Sequence, residues 1–405
     1  MENRRSFLMK AMGVACSAAA SPLITPVTFA SAPSDNRLVV IILRGAMDGL
    51  DVVRPIGDRN LKMHRPDFVN DGLPITDFYA MHPTLGGLSG LWDAGELAFA
   101  HAVSTPYRDK RSHFDGQDLL EAGFGDLESY YEQPVISGWM NRMLTQMEGV
   151  HAETAFAVGT EDLILLKGAA PSSSWAPGRT LTLSEQGQNF LQRIYEHDPL
   201  FHTRAETAIE LSKEVIADME MDEQQDMQSM MMENLSAARQ SRRARALAEF
   251  TADQLLQSTR IAAFSIGGWD THRAQMQQIN GPLTQLAEAI STLKQSMGAH
   301  WEKTTVIGVT EFGRTVRING SGGSDHGTGG AMIMAGGAIK GGRVYGKWPG
   351  LRSRDLYENR DLMPTADLRE YMALAIRDLF GINATTLERV VFPSLSMSGI
   401  PSFIA

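Results

Sequence analysis

Leu38-Val39-Val40-Ile41-Ile42-Leu43, followed at once by Arg44-Gly45-Ala46-Met47-Asp48-Gly49, is the stretch on which the fold turns. Six aliphatic residues with no polar residue between them suit a strand covered on both faces, as in a parallel sheet, rather than one with a wet side. Similar runs recur at Leu97 to Val103, Thr154 to Val158, Thr304 to Val309 and Ala331 to Ala335, and helical patterns lie between them at Leu283 to Met297 and Thr365 to Phe380. Strand alternating with helix predicts a three-layer α/β arrangement. In such sheets a ligand binds beyond the carboxyl ends of the strands, so the loops after the apolar runs are where chemistry is expected.

Those loops are rich in metal-ligand types. They carry Asp48; then Lys110, Arg111, Ser112 and His113; then Asp270 and His272; then Glu311 and Arg314; and last Asp325 and His326. Carboxylates and imidazoles converging from separate strands suit a divalent ion such as zinc or manganese, and a mixed set of five or six has room for one or two ions. Two ions can clamp the attacking and leaving oxygens of a phosphoryl or sulfuryl group. Each residue also has a plainer reading. Asp48 before Gly49 is a good turn residue, Asp325-His326-Gly327 makes a tight loop, and Ser112-His113-Phe114-Asp115 is a capping pattern in which Ser112 only starts a helix.

Composition narrows the partners. The chain has 405 residues, 43% of them hydrophobic, and a formal net charge of -10. A surface that acidic does not seek nucleic acid. Arg4-Arg5 followed by Phe7-Leu8, a small apolar run from Ala11 to Ala20 and Ala30-Ser31-Ala32 have the layout of a removable twin-arginine export signal, too short for a membrane span. Residues 1–32 are therefore expected to engage the twin-arginine translocase, and 33–405 to form an extracytoplasmic or periplasmic domain without stable membrane insertion. The only cysteine, Cys16, lies in that leader, so no disulfide is expected in the rest. The stretch from Glu206 to Thr259 reads as a helical insertion, with methionines crowded between Met219 and Met232 and a solvated basic face at Arg239, Arg242, Arg243 and Arg245.

The segments Leu43 to Leu50, Arg111 to Asp115, Gly268 to His272, Thr310 to Thr315, Gly322 to Gly329 and Gly341 to Gly350 together resemble the signature blocks of domain-of-unknown-function family 1501, in order from about Leu38 to Gly381. That family is placed with the alkaline phosphatase and sulfatase superfamily. The resemblance implies an α/β/α sandwich with a mostly parallel sheet and a metal-dependent hydrolase of phosphate or sulfate esters, acting on a small or polymeric anionic ester. It implies Asp48, Asp270, His272 and His326 as ligands, with Glu311 and Asp325 sharing the second ligand pair. Ser112 would be the nucleophile, with Arg111, Lys110 and Arg314 holding substrate oxygens. Two alternatives stand beside it. Ser104-Thr105-Pro106-Tyr107-Arg108 fits the core that sulfatases convert to formylglycine, making Ser104 the reactive residue, and the same architecture also serves a non-catalytic binding or scaffold protein.

Overall fold

The structure is a computed structural model and describes residues 34–69, 72–108, 110–151, 154–158, 163–175, 229–397 and 399–405. The leader and the methionine-rich stretch from Met219 to Met227 lie outside the described residues.

Nine strands form the main sheet among the described residues. They are β1 (Arg37–Leu43), β2 (Leu97–Ser104), β3 (Ala155–Val158), β4 (Ser173–Trp175), β5 (Ile261–Ile266), β6 (Thr304–Val309), β7 (Gly330–Ala335), β8 (Arg343–Tyr345) and β9 (Ala366–Asp367). Their order is β8-β2-β7-β6-β1-β5-β3-β4, with β9 also paired to β2. The aliphatic run is β1, fully buried in the middle of the sheet with parallel partners on both sides, as the absence of polar alternation demands.

Alternate β1 side chains serve two different cores, which makes the molecule three-layered. Leu38, Val40 and Ile42 pack with Trp139 and Met143 of α2 (Trp139–Leu144) and Met372, Ile376 and Leu379 of α5 (Leu368–Phe380). Val39, Ile41 and Leu43 pack with Leu247 and Leu255 of α3 (Ser229–Leu256) and Leu283, Leu286, Ile290 and Leu293 of α4 (Asn280–Met297). Each such aliphatic side chain contributes about 1.5–3 kcal/mol by leaving water. The exposed Arg242, Arg243 and Arg245 occupy the solvent side of α3, as a basic helix face should. Helix α1 (His113–Ala122) starts on a Ser112 cap and stops at Gly123, whose φ of 74° is the left-handed conformation that ends helices.

The registers bring the functional loops together. β1 and β5 finish level, Leu43 opposite Ile266, and Ile42 pairs with Val309 of β6, so three loops leave the sheet side by side. β7 is antiparallel to both of its neighbours, β2 and β6. Because it runs backwards, the residues that precede it, Asp325 to Gly329, stand at the same edge as the residues that follow the other strands. No helix among the described residues is long and apolar enough to cross a membrane.

Candidate metal centre

Four side chains from three segments meet at this edge. Asp270 follows β5, and its Oδ1 lies 3.0 Å from Nε2 of His272 and 3.4 Å from Nε2 of both His113 and His326. His113, Asp270 and His326 offer ligand atoms that all lie within 4.8 Å of one another. His272 joins them through Asp270 and through His326, whose Nε2 is 2.9 Å from its own. Atoms bound about 2.0–2.1 Å from a tetrahedral zinc stand about 3.3 Å apart, so this spacing is that of a ligand set.

What lies behind each ring decides its proton. His113 Nδ1 is 2.8 Å from Glu311 Oε1, His272 Nδ1 is 3.3 Å from Asp325 Oδ1, and His326 Nδ1 is 2.8 Å from the Arg111 carbonyl. Carboxylates and carbonyls only accept, so His113 and His326 donate from Nδ1 and turn an Nε2 lone pair inward, whereas His272 meets a carboxylate at each nitrogen, Asp325 at Nδ1 and Asp270 at Nε2. His272 and His326 face each other through their Nε2 atoms at 2.9 Å, a contact that needs a proton or a cation between the two nitrogens. His113 Nε2 is buried and has no hydrogen-bond partner among the described residues. An inward polar atom left without a partner is costly, and a cation removes that cost. The donor set therefore fits one divalent ion.

The backbone is shaped to hold this arrangement. Gly45, at φ 114°, and Ala46, at φ 60°, point successive N–H groups at Glu311 Oε1 at 2.9 and 3.0 Å. That is an anion nest filled by the protein's own carboxylate. A Cβ on Gly45 would sit 2.6 Å from the Asp270 nitrogen, so only glycine fits where the two loops cross. Arg111, just before the cap, is left-handed at φ 52°. Such a residue costs of order 1–3 kcal/mol, and here it aims its carbonyl at His326.

Charges follow from these contacts. The hydrogen bond to Glu311 raises the His113 pKa against the opposing effect of burial. Burial lowers His326. Burial would raise both Glu311 and Asp270, but hydrogen bonds from His113, Gln117 and main-chain amides to Glu311, and the hydrogen bond and charge of Arg314 beside Asp270, hold both below the usual carboxylate range.

The other candidate residues stand apart from this group. Asp48 is 1% exposed; its Oδ2 is 2.8 Å from Arg65 Nη1 and accepts from Gln275 Nε2 at 2.7 Å and Ser324 Oγ at 3.2 Å, while Oδ1 caps Leu50. The plain turn-and-cap reading describes it. Glu311 Oε1 already accepts from Gly45, Ala46, His113 and Gln117. Among the described residues, His113, Asp270 and His326 are the group that brings three ligand atoms within 4.8 Å of one another, and neither Asp48 nor Glu311 belongs to it. Asp325 backs His272 rather than facing Asp270. Arg314 is 1% exposed and donates to the carbonyls of Gly45, Ala46, Trp269 and Ser324 as well as to Asp270. Arg111 reaches Asp361 and Glu358 through Nη2. Lys110 is exposed. Ser104 is buried in β2, where its hydroxyl meets Arg108 Nη1. Ser112 Oγ accepts from the Asp115 amide at 3.4 Å, and its own amide donates to Tyr107 Oη.

Sequence reading placed His113 only at the margin of the set, and it missed Gln117, Arg65, Gln275 and Asp361. The spacing of His113 and Gln117, one helical turn apart, was the available signal for a shared partner. Nothing in the sequence around Arg65 or Asp361 marks either.

Fold and site define a three-layer α/β protein that carries a histidine–carboxylate cluster at the carboxyl edge of its sheet. Residues 100–391 match the family described as "Protein of unknown function (DUF1501)", and the chain belongs to that family. No curated protein matches it. Among solved structures it is similar to a protein in the alkaline phosphatase superfamily from Vibrio parahaemolyticus, with 14% identity and a TM-score of 0.35 over 96% of this chain and 79% of that one. It is also similar to the lipoteichoic acid synthase LtaP from Listeria monocytogenes, with 10% identity and a TM-score of 0.38 over 94% and 80%. A third is the C-terminal periplasmic domain of EcEptC from Escherichia coli in complex with Zn, with 11% identity and a TM-score of 0.37 over 92% and 91%. At those TM-scores the likenesses carry no chemistry to this chain, whose own residues must supply it.

Proposed function

We propose that the chain is a metal-dependent hydrolase of phosphate or sulfate esters with a single ion held by His113, Asp270, His272 and His326. The observation that carries this reading is the convergence of three Nε2 edges on Asp270 Oδ1, with every Nδ1 tied down behind them. When bound, the ion supplies a Lewis acid that polarises an anionic ester. The chain's own groups do the rest. Asp270, His272 and Asp325 side chains are 45%, 43% and 53% exposed, so the cluster opens to water on one side and admits substrate there. Arg273, exposed beside His272, and the half-buried Arg360, which donates to the His326 carbonyl, are cations beside the cluster and favour a negatively charged substrate. The N-terminus of α1, ten residues long, favours an anion at Ser112.

Ser112 is the nucleophile we assign, next in sequence to His113. Its Oγ accepts from the Asp115 amide, and among the described residues its proton meets no acceptor. Ser112→Ala should lower turnover of aryl phosphate or aryl sulfate by a factor on the order of 10³ or more, the usual scale for a lost nucleophile. Loss of the cap itself should cost only about 1 kcal/mol of stability. A folded Ser112→Ala protein with full metal content and unchanged turnover would return this serine to the role of a helix cap. Screening the metal-loaded protein against aryl phosphates, phosphodiesters and sulfates tests the substrate class.

The arginine pair near the start carries a second proposal, export by the twin-arginine route to an extracytoplasmic location. Changing Arg4 and Arg5 to lysine should keep the full-length chain in the cytoplasm, and undiminished export of the double variant would refute it.

A further inference from the structure

The turn that follows Leu356 grips His326 twice. Tyr357 and Asp361 pair across Glu358 and Asn359, whose φ values of 51° and 55° are the signature of a type I′ turn, and the Arg360 amide closes it on the Tyr357 carbonyl at 3.1 Å. From this turn Arg360 Nη2 donates to the main-chain carbonyl of His326. Asp361, 0% exposed, accepts from Arg111 Nη2 at 3.0 Å and from Thr328 Oγ1 at 2.8 Å through Oδ2. Arg111 is the residue whose carbonyl takes the His326 Nδ1 proton, and Thr328 is two residues beyond His326.

We propose that Asp361 is a positioning residue for the cluster: by anchoring the Arg111 side chain and Thr328, it holds the Arg111 carbonyl where it fixes the tautomer and orientation of His326. The proposal deepens the metal-centre reading and rests on it for its effect on affinity, though not for its effect on the imidazole.

Arg111 is left-handed, a conformation its side chain does not favour, so the loop stays in place only while something outside it holds the residue. Two anions meet its guanidinium. Glu358 is 58% exposed and screened by water, whereas Asp361 is buried and keeps the stronger grip. Asp361 Oδ1 has no hydrogen bond among the described residues, and its nearest cation is Arg360 Nε at 3.5 Å. The two arginines that Asp361 meets are the two that reach the His326 segment. Without it the Arg111 carbonyl is free to turn away, and the His326 ring loses the acceptor that commits its proton to Nδ1. Residues that orient a ligating histidine from behind affect metal affinity by about 10- to 100-fold when changed.

The test uses the chain with ¹⁵N-labelled histidine, metal-free and then titrated with zinc. In the parent, His326, assigned by its absence in His326→Gln, should show a single Nδ1–H tautomer before zinc is added. In Asp361→Asn the His326 signals should move to a tautomer mixture while those of the buried His101, whose nitrogens meet the Val53 carbonyl and the Ala102 amide, stay in place, and zinc affinity should fall about 10- to 100-fold. A general loss of structure would shift both histidines, so selective movement separates positioning from stability. Thr328→Val, which removes one hydrogen bond to the same carboxylate, should move His326 in the same direction if Asp361→Asn does not fold. Unchanged His326 signals and unchanged zinc affinity in both variants would overturn the proposal while leaving the metal centre standing. A parent that binds no zinc but whose His326 tautomer still depends on Asp361 would refute the metal centre and support the positioning role.

Discussion

Asp270→Asn is expected to lower affinity for zinc by about two to three orders of magnitude with little change in fold. A four-ligand zinc site in a small protein is worth about 10–16 kcal/mol, so one ligand's share is about 2.5–4 kcal/mol, and each 1.4 kcal/mol is tenfold. Asparagine keeps an oxygen for the buried Arg314, which Asp270→Ala would leave facing a hole. Metal content per chain and competition with a chelator read the result, with one ion per parent chain as the reference. Affinity in the variant equal to the parent's would remove Asp270 from the ligand set. Uptake must also displace protons. Glu311 raises the His113 pKa, so binding in the parent should begin to weaken, as pH falls, at a higher pH than for an ordinary imidazole.

Asp48→Asn should have the opposite profile: a large loss of stability and no loss of metal. Arg65 is fully buried against it, and removing one partner of a buried ion pair costs about 3–5 kcal/mol. The other contacts of Arg65, the Thr315 and Val316 carbonyls and the face of Phe68, leave its charge unneutralised. Burial works to raise the Asp48 pKa, but the charge and hydrogen bond of Arg65, with Gln275 and Arg314, hold it below the usual carboxylate range. Its folded value is therefore below its unfolded one. The contribution is complete above the ordinary carboxylate range and is lost as pH falls through and below that range. Parent stability should fall in acid, and Asp48→Asn should lack that part of the decline. Denaturant midpoints at neutral and acid pH measure both. An Asp48→Asn protein that keeps its midpoint and loses its ion would restore Asp48 as a ligand.

The contrast between Asp48 and Asp270 shows how far the sequence could be read. Both are aspartates in loops that follow buried strands, and position along the chain does not tell them apart. What separates them is their surroundings: Arg65, Gln275 and Ser324 close over Asp48, whereas Asp270 Oδ1 is shared between Arg314 and the three histidine edges and its side chain stays half exposed. The strands themselves were legible, because β1, β2, β3, β6 and β7 are apolar runs with sharp ends. β5 was not. Ile261-Ala262-Ala263-Phe264-Ser265-Ile266 contains two alanines and a serine and comes soon after a long helix. The sense of β7 was equally hidden, since an apolar run reads the same in either direction, yet its reversal is what puts Asp325 and His326 at the working edge. Glu311 was recognised as chemically important but given the wrong neighbours, because only the folded loops show that Gly45 and Ala46 fill its oxygen.

The central position of β1 also constrains the order in which the chain can assemble. Its two hydrogen-bonding neighbours are β5 and β6, whose residues begin at Ile261 and end at Val309. At synthesis rates of 5–20 residues per second, the aliphatic strand from Leu38 to Leu43 waits roughly ten to fifty seconds after it is made before either edge can be fully paired. During that interval the nascent chain presents its most hydrophobic segment with two open edges, the configuration most prone to pair with a neighbouring chain. Productive synthesis of this protein therefore depends on shielding that first strand, and a lower yield on faster co-production of many copies is the natural weakness of a sheet built outward from its beginning.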